Sequence, residues 1–234
     1  VRTLAKNHAI CRNKSCGSPK RKLPTNAMWR VSNAQGVTMN VLLLTGMPGS
    51  GKSEAVKVAE EMGIPVHHMG GMVREMVKAK GFEADRANMQ AVADGERKKF
   101  GADIWARRTV RLITSAPLVV IDGTRSLDEV AFFRRELGVA LTVVCVHASP
   151  RTRWERISRR GREDDPQTFD ELRKRDQNEL RWGLGEVIAT ADVMLVNEEG
   201  KGTLRAQMRR LLLDTGTRPA AGSGETTFTE VGDR

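Results

Sequence analysis

The chain has 234 residues, of which 39% are hydrophobic and 29% charged, and this suits one domain of ordinary size with appended segments. No apolar stretch approaches the roughly 18 residues of a membrane span, so we expect no membrane partner. The net charge of +10 suggests a nucleic-acid binder, but eight of the 39 Lys and Arg residues and none of the 29 Asp and Glu residues lie in residues 1–38. The basic signal therefore belongs to that segment, and the remainder is nearly balanced.

Residues 1–38 contain two prolines and few regularly spaced apolar residues, and we predict that they form a disordered basic extension. Met39 lies two residues before the first apolar run, which leads to the hypothesis that translation starts there and that the extension is not made. A nucleic-acid partner is expected only if the extension is real. Three cysteines without a disulfide framework predict a reducing, cytoplasmic location.

A glycine-rich turn follows the first apolar run, in the stretch VLLLTGMPGSGKS at residues 41–53. The turn fits the pattern G-x-x-x-x-G-K-[ST], with a strand pattern before it and an amphipathic helix pattern from Glu54 after it. Only residues without bulk let backbone N–H groups surround a polyphosphate at close range. We therefore predict that the phosphates of ATP bind to Gly46, Met47, Pro48, Gly49, Ser50, Gly51, Lys52 and Ser53.

Two of these loop residues are expected to carry specific chemistry. Lys52 would place its charge on the β- and γ-phosphates and be catalytic, and Ser53 would hold Mg²⁺ through its hydroxyl. Asp122 ends the apolar run LVVID and would reach toward the same Mg²⁺ as a second, catalytic ligand. The alternatives are a flexible glycine turn without a ligand and an aspartate that only forms a turn.

Five short apolar strands alternate with helices, which predicts a three-layer α/β domain with a five-stranded parallel sheet. Cys145 lies in a valine-rich strand and is expected to be a small buried hydrophobe. The domain is predicted to span residues 39–213, followed by a disordered tail at 214–234. After the first strand, strands are predicted at Ile64–Val66, Leu118–Asp122, Leu141–Val146 and Val193–Asn197, and helices at residues 72–77, 87–100, 104–113, 127–137 and 204–213.

An arginine-rich helix is predicted from Ser149 and Pro150, which suit the N-cap and first helical positions. Few acidic residues accompany its arginines, so we expect them to bind an external anion, and a polyphosphate is the economical candidate. Thr168 and Glu171 form a capping box for the next helix. The two helices predict a lid over about residues 150–182, with Arg156, Arg160 and Arg162 as catalytic candidates and Arg153 as a further one.

The chain resembles the nucleoside monophosphate kinases among P-loop proteins in the loop GMPGSGKS, the run IDGTR at 121–125 and the arginine-rich lid at 151–175. Adenylate kinases have a similar D-G-x-x-R run whose arginine binds the acceptor phosphate, which implies this role for Arg125, and Arg74 resembles their other acceptor arginine. The stretch ADVMLVNEEG is similar to a segment of dephospho-CoA kinases that lies against adenine. This likeness implies an adenine-side role for Asn197 and Gly200.

The resemblance extends furthest for an archaeal family related to both kinases, whose substrate is not assigned, and it covers Met39 to about residue 213. These kinases commonly have Asp in a Gly-Asp pair before the acceptor arginine, whereas this chain has Gly71 there. A hydroxyl acceptor needs a base, so this departure puts a hydroxyl acceptor in doubt. The candidate substitutes are His67, His68 and Glu75.

Two functions remain open from the sequence. The first is a phosphotransferase that moves the γ-phosphoryl group of Mg-ATP to a small nucleotide or nucleotide-like acceptor, acting as a monomer or homodimer. The second is a P-loop ATPase that works as a nucleotide-dependent switch with a protein or RNA partner. Acceptor-stimulated release of ADP would separate the two.

Overall fold

A computed structural model describes residues 39–114, 116–138 and 140–216. The predicted basic extension at residues 1–38 lies outside the described residues, as does the predicted tail beyond residue 216. Within the described part, no helix is both long and apolar enough to cross a membrane.

The core is a five-stranded, wholly parallel sheet with the order β2-β3-β1-β4-β5. All six residues of β1 are buried, as expected for a central parallel strand that is covered by helices on both faces. The predicted α/β fold is therefore confirmed. The strands are β1 (Asn40–Thr45), β2 (Val66–His68), β3 (Leu118–Asp122), β4 (Ala140–His147) and β5 (Val193–Val196).

The second strand begins two residues later than predicted and includes both histidines. Pro65 has no backbone N–H to donate, and only its carbonyl joins the ladder, at 2.9 Å from the backbone nitrogen of Val120. The strand therefore starts at Val66, and His67 and His68 occupy its last two positions rather than the loop after it.

Helices cover both faces of the sheet. Two of them, α1 and α9, pack on one face, and the cluster on the other face includes residues of α2 to α5. The last helix ends at Gly216, three residues beyond the predicted end of the domain. The helices are α1 (Lys52–Glu61), α2 (Met69–Ala79), α3 (Arg86–Phe100), α4 (Ile104–Thr109), α5 (Leu127–Leu137), α6 (Pro150–Arg160), α7 (Phe169–Arg181), α8 (Leu184–Ala189) and α9 (Lys201–Gly216), with a 3₁₀ turn at Val110–Leu112.

The two predicted helix starts of the lid are confirmed. The Ser149 hydroxyl accepts the backbone N–H of Thr152 at 3.3 Å, with Pro150 in the first helical position of α6. The Thr168 hydroxyl accepts the backbone N–H of Glu171 at 3.2 Å and caps α7. Caps fix where both lid helices begin, and hence which of their side chains face the phosphate loop.

Candidate active site

The phosphate loop connects β1 to α1, and its glycines are required by close contacts. A Cβ on Gly46 would lie 2.2 Å from the carbonyl oxygen of Val146, and one on Gly51 would lie 2.3 Å from Nδ2 of Asn197. Both glycines have φ values, 138° and 108°, that L side chains rarely adopt. The loop is therefore held against β4 and the residue that follows β5, in a shape that leaves no room for side chains at these two positions.

The Lys52 side chain folds back over this loop. Its Nζ donates hydrogen bonds to the carbonyl oxygens of Gly46 and, at 3.2 Å, Met47. Burial lowers the pKa of the Lys52 ammonium, while the carboxylates of Asp122 and Glu179 act in the opposite direction. The lysine charge therefore lies at the centre of the loop, where a bound phosphate would be close to it.

Asp122 ends β3 beside Leu44 of β1. Its Oδ2 lies 3.2 Å from Nδ1 of His68, whose pKa is raised chiefly by that hydrogen bond. Its Oδ1 is buried and has no hydrogen-bond partner in the part of the chain that the structure describes. An orphaned carboxylate oxygen next to the phosphate loop fits a Mg²⁺ ligand, and Ser53 in the first turn of α1 offers a hydroxyl.

No group of three or more His, Cys, Asp or Glu side chains among the described residues could hold a metal by itself. This agrees with the way Mg²⁺ binds in nucleotide sites, through one or two protein ligands together with phosphate oxygens and water. The donor set of Ser53 and Asp122 is thus compatible with Mg²⁺ bound as its nucleotide complex.

Two of the four lid arginines are already paired, contrary to the expectation that few acids accompany them. Arg153 is only 3% exposed and donates two hydrogen bonds, at 2.8 and 2.7 Å, to Asp176 of α7. Arg160 makes a similar two-pronged pair with Asp165. The acids come from α7 and the loop before it, so inspecting α6 alone could not reveal them.

The guanidinium groups of the other two lid arginines have no carboxylate partner among the described residues. Arg156 donates to the carbonyl oxygen of Ser50 at 3.5 Å and to Oδ1 of Asn197 at 3.3 Å. Asn197, the residue after β5, donates to the carbonyl oxygen of Ser50 at 2.8 Å and thereby supports the loop. Arg156 and Arg162 both line the cavity over the phosphate loop, as do Asn197 and Gly200.

Two cavities adjoin at this site. The loop cavity, about 830 Å³, lies between the phosphate loop and the lid. The helix cavity, about 530 Å³, lies between α2, α3 and α7. Each is large enough for a nucleotide-sized ligand. Residues that line both are Arg86, Gly123, Arg125, Asp164, Arg175 and Glu179.

The helix cavity contains both predicted acceptor arginines. Arg74 lies on α2 and has no salt bridge within the described residues, whereas Arg125 donates from Nε to Oε2 of Glu179 at 2.8 Å. Glu129 is fully buried and accepts the backbone N–H of Arg125 at 2.7 Å. Burial raises the pKa of Glu129, and Arg97, 3.3 Å away, opposes this effect.

Several residues of this cavity were not foreseen from the sequence. Arg175 lies 3.9 Å from Asp165, too far for a hydrogen bond, and burial together with the charge of Arg86 lowers its pKa to about 10. Trp182 stacks near Arg97 and Arg125, with ring-centroid distances of 5.0 and 5.5 Å. No local sequence pattern distinguishes Arg175 from the many solvated charges of the lid helices or marks Trp182 as a cavity residue.

The proposed substitutes for the missing aspartate lie elsewhere. Glu75 has a 70% exposed side chain that pairs with Lys78, and His68 contacts Asp122 and Glu60. Neither of these residues, nor His67 or Gly71, lines either of the two cavities. Cys145 is buried, as predicted.

A family model for the AAA domain matches residues 45–173. A UPF0200 protein of Hyperthermus butylicus is 49% identical over 174 residues, which are 74% of this chain and 92% of that protein. A UPF0200 protein of Thermococcus kodakarensis is 42% identical over 177 residues, covering 74% of this chain and 96% of that protein.

Among solved structures, TT1252 of Thermus thermophilus matches with a TM-score of 0.54 at 20% identity, covering 76% of this chain and 98% of that chain. A shikimate kinase from Bacteroides thetaiotaomicron matches with a TM-score of 0.52 at 17% identity, covering 75% and 99%. At these identities the likeness concerns the fold: a parallel sheet with a phosphate loop, as in P-loop kinases.

Proposed function

Because the chain belongs to the UPF0200 family and has a P-loop kinase-like fold, we propose that it is a phosphotransferase that moves the γ-phosphoryl group of Mg-ATP to a nucleotide or nucleotide-like acceptor. The observation that carries this proposal is the junction of two cavities at Gly123 and Arg125. A simple ATPase needs space for a nucleotide and water, whereas a second cavity that opens beside the phosphate loop offers a place for an acceptor.

The proposed residue roles combine the sequence motif, the resemblance to nucleotide kinases and the position of each group. Lys52 and the loop residues Gly46 to Ser53 would hold the phosphates of ATP, and Asn197 and Gly200 would lie on the adenine side of the loop cavity. Arg74 and Arg125 would bind the acceptor in the helix cavity. The lid arginines 156, 160 and 162 would stabilise the charge of the phosphoryl group in flight. Arg160 would act together with Asp165, which already neutralises much of its charge.

Magnesium would be held by Ser53 and Asp122. Bound there, it would neutralise the charge that develops on the phosphate oxygens. The remaining catalysis would come from this chain: Lys52 fixes the donor, the arginines fix the acceptor, and the lid excludes water when it closes.

The test is ADP release by the full chain with Mg-ATP, in the presence of AMP, CMP, UMP, GMP or dephospho-CoA. We expect one acceptor to stimulate the rate at least tenfold over the rate without acceptor. Slow hydrolysis that is indifferent to every acceptor would contradict the proposal and favour the ATPase switch.

A further inference from the structure

The active site lacks the aspartate that related kinases place before the acceptor arginine, but it holds another carboxylate at the point of transfer. We propose that Glu179 of α7 is the catalytic carboxylate, which accepts the proton of an acceptor hydroxyl as that hydroxyl attacks the γ-phosphate. This inference rests on the proposed function for its acceptor, and it makes the acceptor an alcohol rather than a phosphate.

The position of Glu179 carries the argument. Its side chain lines both the loop cavity and the helix cavity, so it lies where a donor and an acceptor would meet. It is 13% exposed, which leaves access from the cavities but little from bulk solvent. Among the described acidic residues, only Asp164 also lines both cavities, and Asp164 pairs with Arg86 at 3.0 Å and is 55% exposed.

The two oxygens of Glu179 are used differently. Oε2 accepts a hydrogen bond from Nε of Arg125 at 2.8 Å, which fixes the plane of the carboxylate. Oε1 accepts no hydrogen bond from the residues that the structure describes. One oxygen is therefore fixed by Arg125, and the other can accept a hydrogen bond from the acceptor hydroxyl. This arrangement orients the hydroxyl without a change in the protein conformation.

The charge state suits this role. Burial by itself would raise the pKa of Glu179, but Arg125, Lys52 and Arg175 together lower the pKa overall, so the group is ionised near neutral pH. An ionised carboxylate at the junction attracts a hydroxyl hydrogen. It repels a phosphate acceptor, which would have to displace Glu179 from Arg125 in order to reach the donor.

The chemical step balances without another reactant. The acceptor hydroxyl passes its proton to Oε1 of Glu179 while its oxygen forms a bond to the γ-phosphorus of ATP. The bond from that phosphorus to the β–γ bridging oxygen breaks, and ADP leaves with the electron pair. The products are a phosphate monoester and ADP, and Glu179 later returns its proton to water.

The helix cavity also indicates what else the acceptor carries. Arg74 and Lys174 line it without a salt bridge among the described residues, and the buried Nε and Nη1 of Arg175 have no hydrogen-bond partner there. Two carboxylates near them already form salt bridges with other arginines, Asp165 with Arg160 and Asp164 with Arg86. The acceptor class is therefore an alcohol that bears an anionic group away from its reacting hydroxyl.

The first measurement uses water as the hydroxyl. Slow hydrolysis of Mg-ATP is compared between the wild-type chain, Glu179→Gln and the control Asp170→Asn. Asp170 lies on the same helix with an 81% exposed side chain. We expect Glu179→Gln to slow hydrolysis by about 10²-fold or more at an unchanged Kd for Mg-ATP, and Asp170→Asn to match the wild type.

Unchanged hydrolysis in Glu179→Gln would overturn the inference, whether or not any acceptor stimulates the wild-type chain. If the Gln variant no longer binds Mg-ATP, Glu179→Asp carries the test with the same expectation of lower kcat, because it keeps the negative charge beside Arg125 while withdrawing the carboxylate from the junction. Indifference to every acceptor alone would count against the proposed function and not against the role of Glu179.

The second measurement identifies the product by ³¹P NMR after incubation with Mg-ATP and either AMP or dephospho-CoA. Both molecules carry hydroxyls together with phosphate, and AMP also offers a phosphate acceptor. A new phosphate monoester supports the inference. Consumption of AMP with two ADP formed for each ATP, the stoichiometry of a new phosphoanhydride, overturns it while leaving the proposed kinase function intact.

Discussion

The loop cavity and the helix cavity differ in how their residues are distributed along the chain. Six residues of the one stretch Gly46 to Ser53 line the loop cavity, while α2, α3, α7 and the turn after β3 contribute to the helix cavity. Phosphate recognition by backbone N–H groups is a local property, because it needs one turn and one helix start. Recognition by side chains depends on which helices pack together.

The two cavities also differ in what fixes them. Arg153 donates to the carbonyl oxygen of Pro48 at 3.1 Å, and Asn197 donates to that of Ser50, so the lid and the residue after β5 both hold the loop in place. The helix cavity is organised by the pairs of Arg125 with Glu179 and Arg97 with Glu129. The first set holds backbone in place, and the second set holds charges in place.

The largest expected loss of activity comes from a substitution in the loop cavity. Replacing Lys52 by Ala removes the charge at the centre of the loop, and we expect kcat to fall by more than about 10²-fold, the scale for losing one preorganised charge at a transition state. The measurement is ADP release at saturating Mg-ATP. Circular dichroism and the melting temperature serve as controls, because within the described residues the ammonium donates hydrogen bonds only to loop carbonyls.

Activity retained in Lys52→Ala would contradict the assignment of the loop cavity as the donor-phosphate site, since the loop lysine would then not act on the phosphates. A melting temperature more than about 8 °C lower would show instead that the buried lysine supports the fold, because such a shift corresponds to roughly 2 kcal/mol or more in a domain of this size.

The contrast between the cavities explains what the sequence could predict. Strand β3 was predicted with its observed bounds, and the phosphate loop was predicted as a unit, because apolar runs and glycine spacing are visible locally. Glu179 and Arg175 were missed. Both residues line the two cavities beside Arg125 only in the folded chain, and Glu179 pairs with Arg125 across 54 residues of sequence.

The lid arginines show the same limit within one helix. Arg153 and Arg156 donate to carbonyl oxygens of the loop, and Arg160 lines the loop cavity. The spacing cannot tell a paired guanidinium from an unpaired one, because Asp165 and Asp176 belong to the next loop and the next helix. The distinction between structural and ligand-facing arginines is therefore tertiary.

The second prediction sharpens that distinction. Arg153→Met leaves Asp176, whose side chain is 15% exposed, without its partner. Breaking such a largely buried pair costs about 3 kcal/mol, so we expect a clearly lower free energy of unfolding. Arg156→Met, the matched variant on the same helix, has no carboxylate partner in the described chain and should unfold within about 0.5 kcal/mol of the wild type. Urea denaturation measures both.

The assignment fails if the two variants are equally stable, or if Arg156→Met is the less stable one. Equal stability would mean that desolvation of the Arg153 and Asp176 charges offsets their attraction, which buried pairs can do. In that case Arg153 could exchange its hydrogen bonds to Asp176 for hydrogen bonds to the phosphates when the nucleotide binds.

The smallest expected effect concerns Gly71, the position of the missing aspartate. A Cβ there would have the Cβ of His68 as its nearest neighbour, at 3.7 Å, which is an ordinary contact, and the position is exposed in the first turn of α2. Gly71→Asp should therefore raise the melting temperature slightly, through helix propensity and the helix dipole.

Because residue 71 lines neither cavity, we expect kcat to change by less than about twofold in Gly71→Asp. By comparison, about 1.4 kcal/mol of new transition-state stabilisation would raise kcat tenfold. A tenfold rise would mean that α2 swings residue 71 into the helix cavity during turnover, and a carboxylate on α2 would then compete with Glu179 for the acceptor hydroxyl.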